Sequence, residues 1–181
     1  PFLKLRGLDP APGPEMKSTG EVMGSDITAE AAYLKARMAT EIPIPLSGAA
    51  YLTVRSDEQD SLIPFAKELE NLKFKLYATK GTADTLRSGG IEVETVYRIA
   101  EGKHPDALDL MRKGVINFVV NVPTVTGGAV RDGNMMRRMA VELNIPFVTT
   151  LSGVKMEVAA IKEARKGPTV PRPLEVSYLN R

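Results

Sequence analysis

The feature that most constrains this chain is a change of pattern near residue 48. From there to about residue 166, short apolar runs alternate with stretches whose apolar residues recur every three to four positions. Such alternation is the pattern of a parallel sheet whose strands are joined by crossover helices. Five strands are predicted, over residues 50–54, 74–78, 91–97, 116–120 and 147–149. The fourth falls in VINFVV, which is apolar almost throughout, as a strand covered on both faces requires, so it is expected in the middle of the sheet. Leu62, Ile63, Ala66 and Leu69 mark the first crossover helix, in which Pro64 fits only a first turn. A short helix from Gly81 closes on Gly89 and Gly90, and another over 105–114 closes on Gly114, with glycine where a left-handed cap forms. Two more are predicted over 132–143 and 152–166. The expected class is α/β, a Rossmann-like five-stranded parallel sheet with helices on both faces.

An irregular and helical segment precedes this unit. Residues 1–24 are rich in proline and glycine and have no period. Residues 26–40 read as one amphipathic helix, with Asp26 as its cap and Ile27, Ala31, Leu34 and Met38 as its apolar side. Residues 41–47, with Pro43 and Pro45, read as a linker, which divides the chain into segments 1–47 and 48–181. The start at Pro1 without methionine reads as a piece of a longer polypeptide. Beyond Gly167, three prolines lead into LEVSYL, a candidate edge strand.

Composition narrows the function. With 181 residues and 43% hydrophobic content, the chain can bury one core plus an appended segment. Its 24 basic against 22 acidic residues leave a charge of +2, too weak a field to argue for nucleic acid. No cysteine occurs, so disulfides, thiolate nucleophiles and sulfur-ligated zinc are excluded, in keeping with a reducing cytoplasm. His104 is the only histidine, which excludes a multi-histidine metal site. No run approaches the roughly 20 apolar residues of a membrane span, and no membrane role is expected.

In a doubly wound sheet, ligands bind beyond the carboxyl ends of the strands. Strand two runs into Thr79, Lys80, Gly81 and Thr82, with a helix starting at once. Two hydroxyls, a glycine and free amides at a helix amino terminus suit a phosphate or carboxylate, though a lone T-x-G-T can equally be a helix cap. Arg98 follows strand three, Asn121 ends strand four, and Thr149 and Thr150 end strand five, so one cation and several neutral polar groups could converge on one crevice. Arg98 as a solvated surface charge is the alternative. Thr126, Gly127 and Gly128 through Gly133 and Asn134 read as a flexible loop at the same edge. His104 and Asp106, polar and at a helix start, read as bystanders. Met135, Met136 and Met139 have the spacing of a helix core. Neither a G-x-x-x-x-G-K-[ST] loop nor a G-x-S-x-G elbow is present, and no catalytic residue is assigned.

Residues 12–24, PGPEMKSTGEVMG, resemble the closing segment of the second ATP-grasp unit of the carbamoyl-phosphate synthase large-chain family. LYATKGTADTL, the strand ending in Asn121, and NMMRRMAVELNIPFVTT are similar to that family's carboxyl-terminal, methylglyoxal-synthase-like allosteric domain. The resemblance implies a domain that binds an effector and adjusts the synthase's use of ATP. The effectors it implies are UMP, IMP or ornithine, or N-acetylglutamate in urea-cycle relatives. It implies phosphate-binding threonines at Thr79 and Thr82, a basic partner at Arg98, an effector-reading asparagine at Asn121, and an ornithine contact at Thr149. Two positions depart from the bacterial pattern, with Gln59 in place of a phosphate-holding lysine and Pro123 in place of a threonine. The implied partners are the rest of the large chain and a glutaminase small chain, with ATP and Mg or Mn held by the parent enzyme and no cofactor in this segment.

The competing readings are a methylglyoxal synthase and a ligand-free oligomerisation module. The first needs an aspartate base in a glycine-rich S-G-P-x-G-G-D-Q segment. Here the segment reads from Tyr97, and the aspartate position falls at about His104. The second would make the helix over 132–143 a self-association surface in a homo-oligomer.

Overall fold

A computed structural model describes residues 8–11, 22–40, 42–123 and 128–171. Its strands are β1 (Ala49–Thr53), β2 (Lys75–Thr79), β3 (Glu94–Val96), β4 (Phe118–Asn121) and β5 (Phe147–Val148). All pair in parallel, in the order β3-β2-β1-β4-β5. The chain therefore winds outward from β1 to one edge and then crosses back to the other side, which places a switch point between β1 and β4.

The helices are α1 (Ala29–Met38), α2 (Gln59–Asn71), α3 (Lys80–Ser88), α4 (Ala107–Arg112), α5 (Gly128–Glu142) and α6 (Leu151–Arg165). Period-two alternation along β1 sorts them into two layers. Ala50 and Leu52 pack with Leu62 and Leu69 of α2, Leu86 of α3 and Ile161 of α6. Ala49 and Tyr51 point the other way, into Leu108 and Met111 of α4 and Met136 and Ala140 of α5. Both faces of the sheet are covered, as the apolar runs require. No helix of the described residues is long and apolar enough to cross a membrane.

Several expectations are corrected. VINFVV supplies an interior strand, but β1 is the centre and β4 lies beside it. The third strand pairs only over Glu94–Val96, while Ile91 and Val93 are buried ahead of the ladder. Burial, not pairing, accounts for their apolar character. Pro64 lies inside α2, beyond its first turn, because the helix starts at Gln59, directly after a 3-10 turn over Ser56–Glu58. Of the two glycines after α3, only Gly90 is left-handed, at φ 74°. Gly133 and Asn134, read as loop, are helical, since α5 begins at Gly128. Of the three helix methionines, Met136 is buried and Met139 partly so, but Met135 is exposed.

The α1 helix is also capped and packed differently. Thr28 is its cap, with Oγ1 accepting from the Ala31 N–H at 3.2 Å, while Asp26 pairs with Lys35 at 2.7 Å. Ile27 and Met38, expected on the apolar side, are 64% and 61% exposed, and Leu34 is the buried residue. The helix is instead fastened to α6 by polar groups. Tyr33 Oη donates to Glu157 Oε2 at 2.8 Å, and Arg37 donates to both Glu157 oxygens at 3.2 Å. Glu157 is 1% exposed, so these donors are what make its burial tolerable. Burial and the Glu157 carboxylate together push the Tyr33 phenol far above its ordinary range. LEVSYL, the Thr126-Gly127 stretch and most of residues 12–24 lie outside the described residues.

Candidate effector site

The carboxyl ends of β1, β2 and β4 open into a crevice of about 230 Å³ at the switch point. Its floor is set by the ladder, in which Thr53 stands opposite Asn121 and the Val122 N–H donates to the Thr53 carbonyl at 3.0 Å. Tyr51 lies beneath, fully buried, with its phenol pushed far up by burial and then by the Asp132 carboxylate. It is therefore a neutral hydroxyl at any physiological pH.

One wall is the turn from β2 into α3. Thr79 is the N-cap residue of α3, but its side chain makes no capping hydrogen bond. The alternative that this threonine merely caps the helix is therefore not what the geometry shows. Lys80, Gly81 and Thr82 complete the turn and line the crevice. A methyl group at Gly81 would meet only Gln59 Nε2, at 3.7 Å, so packing alone does not demand glycine there. The bare backbone leaves the amide open to a ligand. Thr82 is 2% exposed, and Gln59 Nε2 donates to its Oγ1 at 3.5 Å. The other end of the same amide, Gln59 Oε1, accepts from Thr85 Oγ1 at 2.9 Å. A neutral side chain is thus built into the wall where bacterial relatives are expected to carry a lysine.

The opposite wall is Arg98, Ile99, Asp132 and Met136. Arg98 Nε lies 3.9 Å from Asp132 Oδ2, and the Ala100 N–H donates to the same oxygen at 3.3 Å. Arg98 is half exposed, so it is neither a free surface charge nor sequestered. Arg98 and Asn121 do not end neighbouring strands. They follow β3 and end β4, with β2 and β1 between. They meet across the crevice because the chain after β3 turns inward, bridging Tyr97 to Asp106 and leaning on α5 through Ala100.

Of the seven residues marked as effector-binding in the sequence, six line the crevice: Thr79, Lys80, Gly81, Thr82, Arg98 and Asn121. Thr149, beyond β5 at the sheet edge, is not among the lining residues. The sequence reading missed Arg55, whose Nη2 donates to Glu58 Oε1 at 2.6 Å and which lines the crevice directly after β1. The strand-end rule that marked Thr79 applies equally to Arg55 and would have found it. It also missed Arg137, 2% exposed, which donates to Asn121 Oδ1 from inside α5. No local pattern marks Arg137, because only the packing of α5 on β4 brings the two together.

His104 stands apart from this crevice. Its Nδ1 pairs with Asp109 Oδ2, and Asp106 and Asp109 cap one another reciprocally at the start of α4. The three side chains have ligand atoms within 4.8 Å of one another, but two of them are engaged in that capping box. The methylglyoxal-synthase reading needs a base at about His104, and this residue is not among those lining the crevice.

Comparison with known proteins agrees with this architecture. The MGS-like domain family model matches residues 61–149, a span that runs from α2 to the end of β5. The chain is 45% identical over 170 residues to the "Carbamoyl phosphate synthase large chain, C-terminal section" of Methanopyrus kandleri, covering 93% of this chain and 31% of that protein. It is 41% identical over 168 residues to the protein of the same description from Methanocaldococcus jannaschii, covering 92% of this chain and 27% of that one. It is 39% identical over 167 residues to the carbamoyl phosphate synthase large chain of Methanosarcina barkeri, covering 92% and 42%. The chain thus spans less than half the length of each of these relatives. Fold and sequence thus agree: residues 61–149 carry an MGS-like domain, and more than nine-tenths of the chain is similar to part of carbamoyl phosphate synthase large chains.

Proposed function

We propose that the chain is the regulatory, effector-binding domain of a carbamoyl phosphate synthase large chain. The observation that carries this reading is the meeting of the 79–82 turn, Arg98 and Asn121 in one crevice at the switch point. An anionic group sits at the amino terminus of α3, where free N–H groups, the helix dipole and the Thr79 and Thr82 hydroxyls favour it. Arg98 closes on it with a charge-assisted bond, and Asn121 reads a neutral polar part of the same molecule. The candidates are UMP, IMP, ornithine and N-acetylglutamate. Gln59 and Pro123 remove a cation and a hydroxyl expected in nucleotide-regulated relatives, which moves the site toward a carboxylate effector such as N-acetylglutamate.

In this reading the rest of the large chain, with its ATP and Mg or Mn, joins bicarbonate to ammonia or the nitrogen of glutamine. A glutaminase small chain supplies the ammonia. The product, carbamoyl phosphate, serves pyrimidine and arginine synthesis in the cytoplasm. The segment itself binds effector and transmits its presence without catalysing a step. Crystals grown with sulfate or with each candidate effector examine this directly. An anion within hydrogen-bonding reach of Thr79, Thr82 or Arg98 is the expected result. Density for the ligand elsewhere, with this crevice empty, would overturn the assignment.

A further inference from the structure

Arg137 makes the chemistry of the crevice one-sided. Its guanidinium has donors only, so the Asn121 atom it touches must be the carbonyl Oδ1, and the orientation of that amide follows from chemistry rather than from choice. The Nδ2 group is left for the crevice, and among the described residues nothing accepts from it. Arg137 is in turn fixed by Asp9, 128 positions earlier. Nε donates to Asp9 Oδ1 at 2.7 Å, and Nη2 pairs with Oδ2. The same segment is held a second time by Arg138 Nη1, which donates to the Leu8 carbonyl at 3.3 Å. Gly133 belongs to this arrangement. A Cβ there would lie 3.0 Å from Arg137 Nη1 and 3.1 Å from Asn121 Oδ1, so glycine lets the guanidinium and the amide meet against the helix.

We infer that Arg137 is a positioning residue that holds the Asn121 carbonyl and so turns its Nδ2 donor toward the crevice, and that Asp9 holds Arg137 in that role. This rests on the effector reading above and gives it a chemical class. The neutral part of the ligand that meets Asn121 Nδ2 presents an acceptor, such as an amide or ring carbonyl or a hydroxyl oxygen. It also joins the crevice to the segment ahead of the domain. A ligand that pulls on Asn121 Nδ2 bears on Asp9 through one guanidinium, and a shift of that segment alters the contact offered to the ligand.

Nitrogen-15 spectra and calorimetry on the whole chain test this. The Asn121 NH2 pair is identified by its loss in Asn121→Asp. Asp9→Ala, at a side chain one-third exposed, removes no apolar packing but leaves the buried Arg137 guanidinium without its carboxylate. The expected result is that Asp9→Ala shifts or broadens the Asn121 NH2 pair. It should also weaken the tightest of N-acetylglutamate, UMP and IMP at least tenfold. Inorganic phosphate, which needs only the 79–82 turn and Arg98, should bind within twofold of wild type, and Asp9→Glu should restore part of the loss. An unmoved NH2 pair in folded Asp9→Ala overturns the inference, as does a moved pair with unchanged affinity for the organic probe. If wild type binds none of the three and not ornithine either, the effector reading falls on its own, and the NH2 pair still decides whether Asp9 governs Asn121.

Discussion

Arg98 Nε stands 3.9 Å from Asp132 Oδ2, so the cation that follows β3 is tethered to α5, the helix that follows β4. The tether holds Arg98 in the crevice wall without burying it. Arg98→Ala should therefore lower the affinity of any anionic effector by about 1.5 to 3 kcal/mol, the range of hydrogen bonds to charged groups. Folding should change by no more than about 0.5 kcal/mol, as for other half-exposed positions. Titration calorimetry and urea denaturation of the same variant separate the two effects.

Asn121→Ala should behave differently. It removes the acceptor of a buried arginine donor, which costs about 1 to 3 kcal/mol of stability when nothing replaces it. It should also change the ranking among candidate effectors rather than weaken all alike. A variant as stable as wild type in urea would contradict the buried pairing.

The joint between α1 and α6 should be sensitive at Arg37. Glu157 is 1% exposed and takes three hydrogen bonds from Tyr33 and Arg37. Arg37→Met leaves a buried carboxylate short of its cation, and such losses typically destabilise by about 3 to 5 kcal/mol. The double variant Arg37→Met with Glu157→Met should recover most of this, because no charge is then left buried. Thermal melts of the two variants provide the measurement.

His104 offers a pH test on the surface. Its hydrogen bond to Asp109, and then the charge of that carboxylate, raise its pKa above the usual 6.5, while the same pairing lowers that of Asp109. The histidine part of the pair's stabilisation is complete below the ordinary histidine value and disappears as pH rises through the raised one. The aspartate part is complete above the ordinary carboxylate value and disappears as pH falls through the lowered one. Proton NMR should show His104 titrating above 6.5 in wild type and nearer that value in Asp109→Asn. Equal values in the two proteins would show that the pair does not form in solution.

The sheet was legible in the sequence because burial on both faces leaves runs such as VINFVV and AYLTV, and the strand-end rule then pointed at the 79–82 turn, Arg98 and Asn121. Strand order was not legible. Nothing local says that β4 returns beside β1, which sets two strands between the one that Arg98 follows and the one that Asn121 ends. The α1 helix misled for the opposite reason. Ile27 and Met38 have helical spacing, yet α1 docks through the Glu157 network and leaves both exposed. Arg137 was illegible altogether, since an arginine in a helix reads as a solvated charge until the fold sets Asp9 and Asn121 at its two ends.

The chain should make no methylglyoxal from dihydroxyacetone phosphate, because His104 stands at about the position of the required aspartate and is paired with Asp109 outside the crevice lining. A turnover comparable with authentic synthases, abolished by His104→Ala, would reverse this assignment.

The central claim is that the crevice binds an anionic effector through Arg98 and Asn121, and titration calorimetry of wild type, Arg98→Ala and Asn121→Ala against UMP, IMP, ornithine and N-acetylglutamate tests it most directly. At least one of the four should bind wild type, with affinity reduced about tenfold or more by Arg98→Ala, as loss of a charge-assisted bond implies. The order of the four should change in Asn121→Ala. Unchanged affinity of the tightest ligand in both variants, or no binding to wild type by any of the four, would contradict the account.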